Sequence, residues 1–421
     1  MNEEPAITAT VAGLEGRTSP PATTPDTGAS AGTWRDWLLP AELYLGILGV
    51  MVLVAWQTLT HLGRVILYHP QFWGDGVLGG LAHYDGGWYS IISVNGYSGH
   101  GQGPYSPVAF FPAYPLAMRY LGAVIGNNVI AGIVITSMCG LGISVLFWGW
   151  CRARMATTAA TTALLLLLLY PYSFFLYGVV YADALFIFAT LVAFWAVERD
   201  RPLVAGIAGA VTTATRPVGI AVVAGLVVRT LERRGALTRP RWFGVPTRLQ
   251  LAGSELRPSD GLVLLSIGGL ASYSLFLWHR FGDPFLFSAA ERYWGQEPGP
   301  RTWFKVELYT LLRLHAGSLA TWGLVVQGLI GVAAFLTIPW VGRRFGWGYA
   351  AYLLVVLAIP LVGTKDFMGL GRYGIAAFPV FALVGELLAQ RPLLERRLVL
   401  ACSGAGMLVA GAAFAHGIYI S

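Results

Sequence analysis

Apolar runs of roughly 15 to 25 residues recur along this chain, and clusters of arginine separate them. Runs near the longer end match the roughly 30 Å hydrocarbon core of a bilayer. A backbone inside lipid must satisfy its polar groups internally, so the runs are expected to be helices. Hydrophobic residues make up 56% of the 421 and charged residues only 12%. That is more apolar surface than a soluble domain of this length needs. The expected fold class is an all-α polytopic membrane protein.

The arginines orient the runs. Arg152 and Arg154 follow a run over about 128–150, and seven arginines lie within 229–257 against Glu232 and Glu255. Arg343 and Arg344 follow the run 318–341, and Arg391, Arg396 and Arg397 separate the last two runs. The positive-inside rule puts all four clusters in the cytoplasm. The segment 67–107 has no Lys or Arg and belongs on the opposite face. A first span over about 42–66 then acts as a signal anchor with a cytoplasmic N-terminus. A surface or partly embedded helix follows over 108–125, and 155–170 and 181–198 form an out-and-back pair. Later spans fall at about 261–280, 318–341, 347–363, 372–390 and 398–417, with a second external loop over 281–316.

The stretch 203–231 carries arginine at both ends. A single span would put those arginines on opposite faces. Two halves broken at Arg216-Pro217 keep both inside, but each is only roughly 20 Å long. Short or re-entrant helices are therefore expected, beside a cavity that reaches Arg216. The total is about 11 membrane segments, near what the apolar lengths allow. Residues 1–33, rich in Ala, Thr, Pro and Gly, read as a disordered cytoplasmic tail, and 34–421 as a single polytopic membrane domain. The net charge of +7 is accounted for by topology, so membrane lipids are partners and nucleic acid is not. Cys139, Cys151 and Cys402 form neither a metal spacing nor a disulfide framework.

Several polar residues stand out against this apolar background. His83-Tyr84-Asp85-Gly86-Gly87-Trp88-Tyr89 follows the first span, with Tyr97 soon after and Ala109-Phe110-Phe111-Pro112-Ala113-Tyr114-Pro115 beyond. Asp85 is either a turn residue or an acid presented to a lipid-borne substrate. His83 and Asp85 alone do not make a metal site. Arg216 lies inside an apolar stretch, where it forms a structural ion pair, snorkels, or clamps a phosphate with its planar fork. Asp183 heads an apolar run, as a first-turn acid does. Lys365, Asp366 and Arg372 sit in an external loop, against the inside bias for positive charge. Trp88, Tyr89 and Tyr97 suit either sugar stacking or interfacial anchoring. Gly369 to Gly374 matches a dinucleotide pattern by letter, but no strand–turn–helix unit surrounds it. No NTPase phosphate loop, zinc-protease motif or serine elbow occurs, and no cofactor is implied.

Taken in order, these motifs resemble a family. Tyr84-Asp85-Gly86-Gly87-Trp88-Tyr89, Asn95-Gly96-Tyr97 and Ala109 to Pro115 are similar to the first external loop of bacterial relatives of the second mannosyltransferase of GPI-anchor synthesis (PIG-V type). Tyr181-Ala182-Asp183-Ala184-Leu185-Phe186 resembles its Tyr-Ser-Glu-Ser-Leu-Phe segment, with Asp for Glu and Ala for Ser. Thr215-Arg216-Pro217-Val218-Gly219 and Arg372-Tyr373 with Phe378-Pro379 resemble two later elements. The resemblance implies a GT-C-type glycosyltransferase fold with its active site at the outer face. It implies a polyprenyl-phosphate sugar donor, most often mannose, and inversion at the anomeric carbon. The acceptor, whether lipid, glycan or protein, is left open. On that expectation Asp85 is catalytic, and Arg216, Arg372 and Lys365 bind the donor phosphate. His83, Trp88, Tyr89, Tyr97 and Asp183 are expected to line the substrate site. Two other classes remain: a transporter or flippase of lipid-linked sugar, and a noncatalytic membrane scaffold.

Overall fold

The computed structural model describes residues 34–63, 65, 76–97, 106–237, 256–296 and 299–420. The expected tail, 1–33, lies outside the described residues, as do parts of the 67–107 segment. The chain divides into two units, 1–39 and 40–421. The described part of the first unit is the start of one helix, and the second unit holds every other described element.

The described residues form nineteen α-helices and no strand. In order these are α1 Trp34–His61, α2 Gly76–Leu81, α3 Asp85–Asn95, α4 Ala113–Ile125, α5 Asn128–Arg152, α6 Thr157–Leu168 and α7 Asp183–Glu198. Then come α8 Pro202–Thr215, α9 Ile220–Arg233, α10 Gly268–Phe281, α11 Leu286–Glu291, α12 Pro300–Trp303 and α13 Val306–Leu314. The last are α14 Leu319–Leu336, α15 Ile338–Phe345, α16 Trp347–Gly363, α17 Leu370–Ala376, α18 Phe378–Ala389 and α19 Leu393–His416. The chain is an all-α polytopic membrane protein.

Among the described residues five helical stretches are long and apolar enough to cross a membrane: Leu38–His61, Asn128–Arg152, Pro258–Phe281, Leu319–Leu336 and Leu393–His416. A sixth arises if α17 and α18, bent by 78° at Ala377, count as one broken span. Other apolar runs fold as shorter pieces, including α6, α8 and α16. Proline accounts for several breaks. Pro217 ends α8, Pro339 opens α15, and Pro379 follows the bend before α18. Each ring removes a backbone donor and disfavours helix in the residue before it. The expected break at Arg216-Pro217 is there: α8 and α9 are separate 14-residue helices.

Two expectations about loops change. Asp85 does not sit in an irregular loop but is the first residue of α3. The segment 281–316 contains α11, α12 and α13 rather than one polar connection.

Small side chains set the close packing around the broken region. Gly206 on α8 leaves so little room that a Cβ would fall 2.2 Å from the carbonyl oxygen of Leu262. Such contacts let helix backbones approach where lipid supplies no hydrophobic drive. At one end of α7, Glu198 accepts from the Tyr349 hydroxyl (2.7 Å) and pairs with Arg154 (3.1 Å), Arg229 (2.9 Å) and Arg233 (3.2 Å). Arg344 joins Glu386 at 2.8 Å and donates to the Arg154 carbonyl oxygen. The arginine clusters at 152–154, 229–234 and 343–344 thus gather at one end of the bundle. The other end of α7 is Asp183, roughly 22 Å away at helical rise.

Candidate active site

The end of the bundle opposite the arginine clusters holds a cleft of about 130 Å³. Four stretches far apart in sequence build its charged floor. The first is the start of α3. Tyr84 adopts φ 55° and ψ −114°, which turns the chain sharply before the helix begins. The Asp85 backbone N–H donates to the Tyr181 hydroxyl at 3.2 Å. Gly86 lets α3 lie against residue 180, because a Cβ there would already touch the Val180 carbonyl oxygen at 3.1 Å.

The second stretch supplies Asp183 at the start of α7, 3% exposed. The third supplies Arg216, left in extended geometry between α8 and the turn Pro217–Gly219. Its Nη1 donates to Asp183 Oδ1, and its guanidinium lies 4.5 Å from the Tyr373 ring centre. The fourth is α17, which carries Arg372. Gly371 fixes its position: the N–H donates to Gln327 Oε1 at 3.0 Å, the carbonyl accepts from Tyr170 at 3.0 Å, and a Cβ would fall 2.3 Å from the Tyr172 ring.

Arg372 closes the cluster. Its Nη1 donates to Asp85 Oδ2 at 2.8 Å, across 287 residues of chain. Its guanidinium lies over Tyr181 at 5.1 Å and Phe175 at 5.5 Å. Its Nε is 3.9 Å from Asp183 Oδ1 and, among the described residues, makes no hydrogen bond. Two acids and two arginines therefore balance in charge, and pairing is what makes buried charge tolerable at membrane depth. Two guanidinium groups present ten N–H donors in all, more than the two carboxylates use. The floor can still accept an anion.

Asp85, Tyr89, Arg216, Lys365 and Arg372 all line the cleft. Asp183 lies behind the floor as partner of Arg216. His83 turns away: its Nε2 is 3.3 Å from the Ala415 carbonyl oxygen, and its ring packs on Phe414. Trp88 stacks on Phe110 at 5.6 Å and meets Trp294 edge-on at 6.3 Å. Tyr97 donates to the Phe110 carbonyl oxygen at 2.6 Å and packs on Tyr273 and Phe276, so it braces the wall from behind.

Sequence reasoning missed the upper wall. Glu291, Trp294 and Gln296 line it from the 282–296 segment, with Thr364 and Tyr419, beside Asp366 and Tyr373, which the sequence had singled out without a role in the site. Burial pushes the Glu291 carboxyl up to about 7, and the nearby Arg216 charge offsets only part of that. Asp366 is likewise raised by burial. Lys305 is lowered to about 8, again by burial, with Asp366 opposing. Lys305 Nζ donates to the Thr364 carbonyl oxygen and lies 4.7 Å from the Phe367 ring, fastening the 299–316 segment to the 364–369 turn.

No protein-family model matches the chain, and no curated protein sequence matches it. Some solved structures do. One is the oligosaccharyltransferase AglB from the archaeon Archaeoglobus fulgidus, in complex with an inhibitory peptide and a dolichol-phosphate. It is 13% identical, with a TM-score of 0.42, over 89% of this chain and 56% of that one. The apo form of the Archaeoglobus fulgidus oligosaccharyltransferase gives 14%, 0.43, 89% and 56%. ArnT from Cupriavidus metallidurans, bound to undecaprenyl phosphate, gives 15%, 0.40, 91% and 77%. The chain thus spans little more than half the length of the oligosaccharyltransferases it matches.

Proposed function

We propose that this chain is an integral membrane glycosyltransferase of the GT-C type. It moves a sugar, mannose by the motif resemblance, from a polyprenyl-phosphate donor to a hydroxyl of a lipid, glycan or protein acceptor. The observation that carries this reading is the Asp85–Arg372–Asp183–Arg216 cluster at the floor of the cleft. A phosphate on a lipid needs cationic donors at membrane depth, and arginine forks fit its oxygens.

The chemistry follows from the cluster. Arg216 and Arg372 bind the donor phosphate, and Lys365 adds charge from the rim. The acceptor hydroxyl attacks the anomeric carbon from the face opposite the phosphate. Asp85 takes its proton, and the bond from the anomeric carbon to the phosphate oxygen breaks with its electron pair on that oxygen. The growing negative charge is stabilised by guanidinium groups that are already in place. Attack from the opposite face inverts the sugar. The arginine-rich end of the bundle supports a cytoplasmic assignment for that end, which leaves the cleft extracytoplasmic and the N-terminus cytoplasmic.

The test is purified protein in liposomes with radiolabelled polyprenyl-phosphate mannose and candidate acceptors. Transfer of label to an acceptor is expected. Movement of donor across the bilayer without transfer would make the protein a flippase, and neither outcome would make it a scaffold. Arg216→Lys keeps charge but loses the fork, so the donor KM should rise or kcat fall about tenfold or more. A well-folded lysine variant with normal kinetics would leave Arg216 outside the phosphate site.

A further inference from the structure

The cleft has a third wall carboxylate that the mechanism above does not use. Glu291 is the last residue of α11, in a part of the chain unrelated to the four floor stretches. It is held in place. Leu286, Phe287 and Ala290 of the same helix are buried against Val108, Phe111, Tyr273 and Leu277. The Gln296 N–H reaches back to the Glu291 carbonyl oxygen, and Gly295, at φ 75°, turns the chain back toward the cleft.

Its state differs from that of the floor acids. Asp85 is bonded to Arg372 and Asp183 to Arg216. The Glu291 carboxyl has no ion pair among the described residues, although Arg216 is near enough to act on it. Two carboxylates of unlike surroundings in one cleft form the usual division into a proton acceptor and a proton donor.

We propose that Glu291 is a second catalytic carboxylate, which gives its proton to the phosphate oxygen that leaves the sugar. The proposal rests on the glycosyl-transfer reading. The step balances. The acceptor oxygen bonds to the anomeric carbon and its proton passes to Asp85. The bond to the phosphate oxygen breaks, that oxygen keeps the electron pair, and it takes the proton of Glu291. Polyprenyl phosphate departs as the monoanion, and proton exchange with water returns Asp85 to its anion and Glu291 to its acid.

Groups from several elements face this carboxyl across the cleft. Arg216 is the cation that favours its anion; Arg372, Lys365, Asp85 and Asp366 line the same cleft. The phenols of Tyr89, Tyr373 and Tyr419 also line the cleft, and Arg292 opens the next short turn, Arg292–Trp294. Burial outweighs that cation, so the acid form persists to about pH 7. A proton donor is active in that form, which sets the direction: kcat holds below that pH and falls above it.

The experiment measures kcat and donor KM for wild type, Glu291→Gln and Glu291→Asp between about pH 5.5 and 9, with polyprenyl-phosphate mannose as donor. Wild type should lose about tenfold in kcat per pH unit above the midpoint. Glu291→Gln should fall about a hundredfold at about pH 6.5, keep donor KM within about threefold, and lose the alkaline decline. Glu291→Asp, which restores an acid, should recover part of the rate together with the decline. If Glu291→Gln keeps wild-type kcat, or changes only KM, or if Glu291→Asp is as slow as Gln, Glu291 is not the proton donor. Those results sink this proposal while transfer by wild type stands. Absence of transfer by wild type sinks the glycosyl-transfer reading and this proposal with it.

Discussion

Replacing Asp183 with Asn tests how the arginine floor is held. The substitution keeps shape and one carbonyl oxygen but removes the charge that faces Arg216 and, at 3.9 Å, Arg372. Asp183 is 3% and Arg216 9% exposed, so the pair is largely shielded from water. Breaking a buried pair costs about 3–5 kcal/mol, and the remaining carbonyl puts Asn near the lower figure. With an unfolding entropy of about 2 cal/mol/K per residue, a loss of roughly 3 kcal/mol lowers Tm by about 3 °C in a chain of 421 residues. Activity should fall further than stability, because both guanidinium groups lose their anchor. The double variant Asp183→Asn/Arg216→Gln makes a neutral pair of similar volume. It should recover most of the lost Tm, since removing both charges avoids an orphaned one, yet remain poor in transfer. The assay is a melt of purified protein in detergent beside sugar transfer at about 25 °C. Wild-type Tm and turnover in Asp183→Asn, or simple additivity in the double variant, would refute the coupling.

Gly371→Ala drives a methyl into the Tyr172 ring, so it should cost about 1–3 kcal/mol and shift Arg372; a melt and donor KM within error of wild type would contradict this. In a Cys402→Ser background, Gly317→Cys should react with an impermeant thiol reagent on intact cells and Gln390→Cys should not, with the reverse pattern overturning the orientation. Glu291 binds its proton more tightly folded than unfolded, so its contribution to stability is present below about pH 4.5 and is lost as pH rises toward 7. Glu291→Gln should therefore gain about 1–2 kcal/mol on wild type between about pH 5 and pH 8, allowing for partial exposure, and parallel Tm profiles for the two proteins would show no such linkage.

The all-α membrane class was legible because it depends on local sequence, on run length and on the loss of a backbone donor at Pro217; the expected total of about 11 segments was not, because among the described residues only five stretches, or six with the bent pair, are long and apolar enough to cross. Even the break at Arg216 followed from the balance of charge on either side of one short run. Which charges meet was not legible. Asp85 and Arg372 are joined only by helix packing across 287 residues, and no local pattern encodes that. His83 shares the motif with Asp85, yet its ring lies by the Ala415 carbonyl oxygen and Phe414 rather than in the cleft lining, and no local pattern shows that. Tyr97 shares aromatic character with a sugar platform but directs its hydroxyl to Phe110. Glu291 carried no motif; its only signal was an acid among the aromatics of the 281–316 segment.

In the proposed reaction Asp85 takes the proton of the acceptor hydroxyl while the polyprenyl-phosphate donor is held in the same cleft. Single-turnover transfer by purified Asp85→Asn, with donor binding measured on the same preparation, tests it most directly. Intact folding, donor affinity within a few-fold of wild type, and transfer slower by about a hundredfold to ten-thousandfold are expected. Near-normal single-turnover transfer by that variant would contradict it.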